Sequence, residues 1–364
     1  EYALGAATVG VSWSGYFNKL LHEFGVELPF YLTKSFAEVE GGGINLPAIV
    51  IVSLLSLLLL RGTKESTSLN NFLVIVKVAV VILFIALGWK FINPENHTPY
   101  IPKNTGVYGE FGISGIAAGA ALVFFAFIGF DAVSTAAQEA KNPQKGMPIG
   151  ILGSLAVCTV LYVLFAHVMT GLVPFQIFKG DASPAATAFK VTGYSWLQMG
   201  LIIAILAGYT SVILVMLMGQ SRVFYTMSKD GLLPKFFGSI HAKYRTPYKT
   251  NLFFMVFVSL FAGFVPVTEL GHMVSIGTLF AFSLVCIGVM ILRKTDPDRE
   301  RPFRTPLVPL VPILGIVVCV YLMYSLPLEA WIRLAIWMAL GVAIYFFYGK
   351  KNSVLRRKSE GQSI

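Results

Sequence analysis

The stretch FFAFIGFDAVSTAAQEAKNPQKGMPIGI, residues 124 to 151, opens as an apolar helix that weakens at Gly129, two residues before the carboxylate of Asp131. Glycine gives up helix stability and frees backbone groups that the helix would otherwise pair. A glycine-weakened apolar helix followed by a carboxylate fits a discontinuous membrane helix, whose exposed ends bind small charged groups near the midplane. The other reading is an ordinary kink, with Asp131 beside a packed polar cluster.

The rest of the chain agrees with a membrane setting. Of 364 residues, 56% are hydrophobic and 13% charged, which excludes an ordinary soluble domain. Apolar runs predict ten spanning helices, near residues 2–21, 44–60, 68–92, 111–133, 148–173, 195–226, 250–267, 272–292, 307–325 and 329–348. The runs are continuous and lack the alternation of a barrel strand, so the fold class is an all-α integral membrane protein. Gly115 and Gly119 stand at helical spacing and predict close helix packing.

The net charge of +10 would suit a nucleic-acid partner only if it formed a basic face on a water-exposed surface. Instead it follows the connections. The loops 61–67, 134–147, 227–249 and 293–306 and the tail 349–364 hold nineteen Lys and Arg, against four in the opposite set of connections. Positive loops stay cytoplasmic, so both visible ends are expected in the cytoplasm, in a plasma (inner) membrane, with no nucleic-acid partner. The basic tail, 349–364, could also touch anionic lipid, and an orientation signal is the simpler reading.

Ionisable residues inside the membrane are costly and are therefore functional candidates. Lys77 sits mid-helix in LNNFLVIVKVAVVILF, too deep to reach the interface comfortably. It reads either as a proton-coupling group whose basicity burial lowers, or as a static cation neutralising a helix end. His167, in LYVLFAHVMTGL, reads as a hydrogen-bonded packing residue.

Enzyme signatures do not hold. GVSWSG, residues 10–15, lacks a nucleophile elbow's final glycine, because Ser14 stands there. Gly41, Gly42 and Gly43 have no phosphate-loop Lys and Ser or Thr beside them. Cys158, Cys286 and Cys319 lie singly within apolar runs, and no histidine pair has metal-ligand spacing. No cofactor, metal or catalytic residue is expected. A channel would want rings of charge or a repeated filter, and neither occurs.

With these residues in view, the stretch 124–151, GQSRVFYTMSKDGLLP (219–234) and RPFRTPLVPLVPILGI (301–316) resemble the cationic amino acid transporter group of the amino acid, polyamine and organocation superfamily. The opening EYALGAATVGVSWSGYF looks like the third membrane helix of that group. The resemblance covers essentially the whole chain. It implies a leucine-transporter-like fold of two inverted repeats, in which the ten spans are helices three to twelve. Residues 1–92 would then be the last three helices of the first repeat, and 111–292 the second repeat, broken at 125–131. Two further helices would fill 307–348. On this reading the chain is truncated or partial, lacks the first broken helix and should not transport by itself.

The resemblance also implies roles. Phe125 corresponds to the aromatic gate, and Ala126, Phe127 and Ile128 to carbonyl donors for the substrate amine. Gly129 and Asp131 support the break, and Val215 and Met216 line the side-chain pocket. Glu1 corresponds to an acidic start of the third helix that meets a cationic substrate tail. Lys77 matches a lysine that replaces sodium in proton-dependent relatives, and Thr210 and Ser211 lie in the former sodium-site region. The implied function is proton-coupled symport of small neutral amino acids such as alanine, since Met216 fills space that a long cationic side chain needs. Arginine or lysine transport, or proton-independent exchange, is the alternative. Expected partners are the amino acid, protons and membrane lipid; a small single-span protein or a sterol is not readable from the sequence.

Overall fold

A computed structural model describes residues 1–61, 64–131, 142–301 and 303–359. The described secondary structure is helical, with one isolated bridge between Ser35 and Gly43. The long helices are α1 (Tyr2–Glu23), α2 (Leu46–Arg61), α3 (Lys64–Gly88), α4 (Gly112–Val123) and α5 (Pro143–Leu172). A short α6 (Pro184–Lys190) precedes α7 (Ser195–Lys229), α8 (Tyr248–Phe264) and α9 (Val267–Thr295). Then come α10 (Leu310–Tyr324) and α11 (Leu328–Ile344), followed by a π-helical turn at Tyr345–Gly349 and two short helices, Lys350–Asn352 and Val354–Ser359.

Each predicted apolar run therefore holds a helix. Five stretches are long and apolar enough to cross a membrane: Asn71–Phe91, Pro143–Leu172, Gln198–Lys229, Val267–Thr295 and Leu328–Arg357. Four more apolar helices are shorter, Leu46–Arg61, Gly112–Phe127, Tyr248–Phe264 and Leu310–Tyr324. At about 1.5 Å per residue these fall a little short of a hydrocarbon core of roughly 30 Å. Helix ends differ from the predicted runs where polar turns continue the helix. α5 begins at Pro143 rather than near 148, because proline is suited to a first helical turn and hydropathy does not register the polar residues after it.

The chain forms two compact units. One comprises Tyr2–Tyr100, Thr159–Leu270 and Ala343–Ile364; the other comprises Glu1, Ile101–Cys158 and Gly271–Val342. In the larger unit α1 packs along α7, α2 along α8, and α3 against α7. Its core gathers Phe84, Val168, Leu172, Phe189 and Leu201, with Tyr16, Ala186, Ile202 and Leu206 forming a second cluster. In the smaller unit Ala121, Ile276, Leu279, Met323, Leu326 and Ala330 pack together.

Without water, each polar group needs an internal partner. Four hydroxyls meet the need by donating to carbonyls one turn back: Thr8 to Leu4, Thr210 to Leu206, Thr278 to Val274 and Ser283 to Leu279, at 2.7 to 2.9 Å. Across helices, Gln220 Oε1 of α7 accepts the Ala3 amide at 3.0 Å and so satisfies one of the donors that the α1 N-terminus leaves open.

Close packing falls on glycines other than the predicted pair. A Cβ on Gly119 would meet nothing within 4 Å, and one on Gly115 would meet only the adjoining Gly109–Glu110 backbone. Tight approaches occur at Gly88 of α3, where a Cβ would lie 2.6 Å from Val168 Cγ1 of α5, and at Gly263 of α8, where one would lie 2.6 Å from Ile49 Cδ1 of α2. Gly88→Ala is expected to cost about 1–3 kcal/mol by overpacking, whereas Gly119→Ala, in open space, should be neutral or mildly stabilising. Melting temperatures in detergent would separate the two, and equal shifts would contradict the assignment.

Candidate substrate and coupling site

The predicted site residues fall in both units. In the smaller one, α4 ends at Val123 and tightens into a 3₁₀ turn over Phe124–Phe127. Ile128 is extended, and Gly129 takes φ 124°, a region that side chains with a Cβ avoid. The Gly129 amide, which has left the helical ladder, donates to Asp131 Oδ1 at 3.0 Å. The carboxylate thus closes a local turn on the amide freed at the break, the pattern by which Asp competes with helix. Phe125 and Phe127 are half-buried, Ala126 is exposed and Ile128 buried. Residues 132–141, the second half of the opening stretch, lie outside the described residues.

Glu1 belongs to the same unit. It shares a side-chain hydrogen bond with Thr278 of α9 and interacts electrostatically with Asp131. The Thr278 hydroxyl, which donates to the Val274 carbonyl 2.8 Å away, is the polar group of α9 that Glu1 meets. Two carboxylates from distant parts of the sequence therefore share one neighbourhood.

The larger unit holds the lysine. Lys77, on α3, is half-buried, and its Nζ donates to Ser211 Oγ on α7 at 3.4 Å. Ser211 is 1% exposed and donates to the Gly208 carbonyl at 2.8 Å. Gly208 leaves room for the lysine stem: a Cβ there would sit 3.7 Å from both Cβ and Cδ of Lys77. Thr210 stands next to Ser211 and, besides donating to Leu206, accepts Trp13 Nε1 of α1 at 3.2 Å. Met216, a turn and a half further along α7, is 3% exposed, and Val215 is half-buried.

Sequence reasoning missed Trp13 and Gly208. The indole stacks on Phe17 at 4.8 Å and reaches a threonine 197 residues away, a pairing that no local pattern encodes. Thr210→Val keeps the shape and removes the acceptor. It is expected to destabilise by about 1 kcal/mol, because the indole proton loses its partner; an unchanged melting temperature would show that the bond contributes nothing.

His167 faces other rings. It stacks on His97 at 4.5 Å and lies 5.7 Å from the Trp89 ring, while His97 pairs with Thr170 Oγ1 at 3.1 Å. The three cysteines are free and half-buried. Among the described residues no cluster of His, Cys, Asp and Glu is suited to a metal.

Comparison with known proteins gives this geometry a family. The amino acid permease model matches residues 1–349. The chain is 44% identical over 359 residues to the branched-chain amino acid permease BcaP of Bacillus subtilis (strain 168), a match that covers 98% of this chain and 76% of the relative. It is 40% identical over 358 residues to the methylthioribose transporter of the same organism, with the same coverage of each. It is 31% identical over 423 residues to cationic amino acid transporter 9, chloroplastic, of Arabidopsis thaliana, covering 97% of this chain and 73% of that one. The relatives are named as permeases and transporters, not enzymes, and the chain belongs to the amino acid permease family of the amino acid, polyamine and organocation superfamily.

Proposed function

We propose that the protein is a proton-coupled secondary transporter of neutral amino acids, working by alternating access with Lys77 as the coupling group. The observation that carries the reading is the lysine ammonium placed against Ser211, beside Thr210, within apolar helices of an amino acid permease. A cation within an apolar membrane helix is costly, which makes Lys77 a functional candidate. Protonated Lys77 would tether a neighbouring helix, and deprotonation would release it.

The substrate reading extends from alanine to branched side chains. Two relatives are named branched-chain amino acid permeases, at 44% and 34% identity. A pocket edged by Val215 and Met216 suits apolar side chains and rejects a long cationic tail, and methionine's flexibility lets one pocket take several shapes. Phe125 would close over the substrate, and the carbonyls of Ala126, Phe127 and Ile128 would receive its amine. The proposal includes the ten helices as membrane spans, numbered three to twelve of the inverted-repeat fold, in an inner membrane with both visible ends cytoplasmic. Cationic substrates are the second reading, favoured by the proximity of Glu1 and Asp131.

The test is uptake of labelled leucine, alanine and arginine into proteoliposomes holding the complete protein, with and without an inward proton gradient. Gradient-driven leucine or alanine uptake supports the proposal. Arginine uptake would replace the substrate, and uptake indifferent to the gradient would replace symport by exchange.

A further inference from the structure

On the outer face of α8 the side chains leave an open groove of about 490 Å³, bounded at one end by Lys249 and Phe236 and running past Leu252 and Val256 to Leu260. The walls are apolar, and Leu252, Val256 and Leu260 recur every fourth residue, so they form one stripe along the helix. Each is about half exposed. From Lys249 to Leu260 the helix rises about 16 Å, close to half of a hydrocarbon core of roughly 30 Å. The groove is one leaflet deep and carries its polar group at the end where a leaflet has its headgroups.

That polar group is a cation. Lys249 Nζ lies 5.5 Å from the Phe236 ring centre and 5.9 Å from that of Tyr248, which hold it over the groove mouth. The ion pairs among the described residues do not include it. Residues 231 to 268 contain no Asp or Glu, yet carry Lys235, Lys243, Arg245 and Lys249. Lys249 also occupies the first turn of α8, where the helix dipole disfavours a cation. An anion at the mouth is favoured by the lysine, by the unopposed positive loop and by the helix end together.

We infer that this groove is a binding site for an anionic phospholipid, with one acyl chain along Leu252, Val256 and Leu260 and the headgroup phosphate at Lys249. The apolar wall excludes a soluble anion as the whole ligand, and the cation distinguishes the site from the ordinary lipid-facing surface of a membrane helix.

The experiment measures binding of radiolabelled phosphatidylglycerol and phosphatidylcholine to the purified protein in detergent. The unaltered protein is expected to prefer phosphatidylglycerol, and rising salt to erode the preference. Lys249→Gln should weaken phosphatidylglycerol binding about fivefold and leave phosphatidylcholine unchanged. Val256→Trp, which fills the groove, should weaken both. Equal binding of the two lipids by the unaltered protein would overturn the site. So would a preference insensitive to salt and to Lys249→Gln in a variant with an unchanged melting temperature, or displacement of phosphatidylglycerol by inorganic phosphate alone.

Discussion

Phe84→Ala is expected to cost about 3 kcal/mol, the lower end of the range for truncating a buried phenylalanine. Phe84 is 2% exposed, stacks on Phe165 with ring centres 4.3 Å apart and meets Phe189 at 5.2 Å. These three rings come from α3, α5 and the short α6, and Val168, Leu172 and Leu201 close around them. In a membrane the unfolded reference keeps its apolar side chains in lipid, so the transfer contribution shrinks and lost packing dominates. That places the cost at the low end. Phe84→Leu fills most of the volume and should cost less than about 1.5 kcal/mol. Thermal unfolding in one detergent checks both. A Phe84→Ala shift no larger than that of Phe84→Leu would mean that the cluster relaxes into the gap and does not hold α3, α5 and α6 together.

Lys77→Met is expected to remove the dependence of uptake on a proton gradient while substrate binding stays measurable. Methionine is close in length and apolar, so it fills the space over Gly208 without charge, and Ser211 keeps its bond to the Gly208 carbonyl. What the variant loses is the ammonium and its contact with Ser211 at 3.4 Å. Uptake with the gradient should fall to the level seen without it, and binding of unlabelled substrate should change by less than the transport rate. Gradient-driven uptake that survives in Lys77→Met would make the lysine a structural cation. If binding also vanished in a variant that melts normally, Lys77 would belong to the substrate's own site.

Much of the fold was legible because a membrane imposes a coarse rule. Backbone groups must pair internally, so apolar runs of sufficient length become helices wherever they lie. All ten runs hold helices for that reason. Ends shifted by several residues, as at Pro143 and at the turn around Pro266, because helix termini obey proline and capping chemistry and not hydropathy. The turn at Gly129 was legible for a local reason, since a glycine two residues before an aspartate supplies both the unusual φ and the acceptor for its amide.

Where distant segments meet was not legible. Gly115 and Gly119 had the spacing of a packing motif, yet close approach occurs at Gly88 against Val168, because spacing marks a smooth face without saying what lies opposite. Lys77 announced itself as a charge in an apolar run. Its partner Ser211, its bed on Gly208 and the Trp13 bond to Thr210 depend on which faces of α1, α3 and α7 turn toward one another. The sequence by itself determined that this chain is helical, where its helices run and which charged residues stand inside apolar runs, because those follow from transfer free energy and local backbone chemistry. The tertiary structure alone decided which of those residues touch, because helix rotation and contact are set by side-chain packing summed over the whole unit.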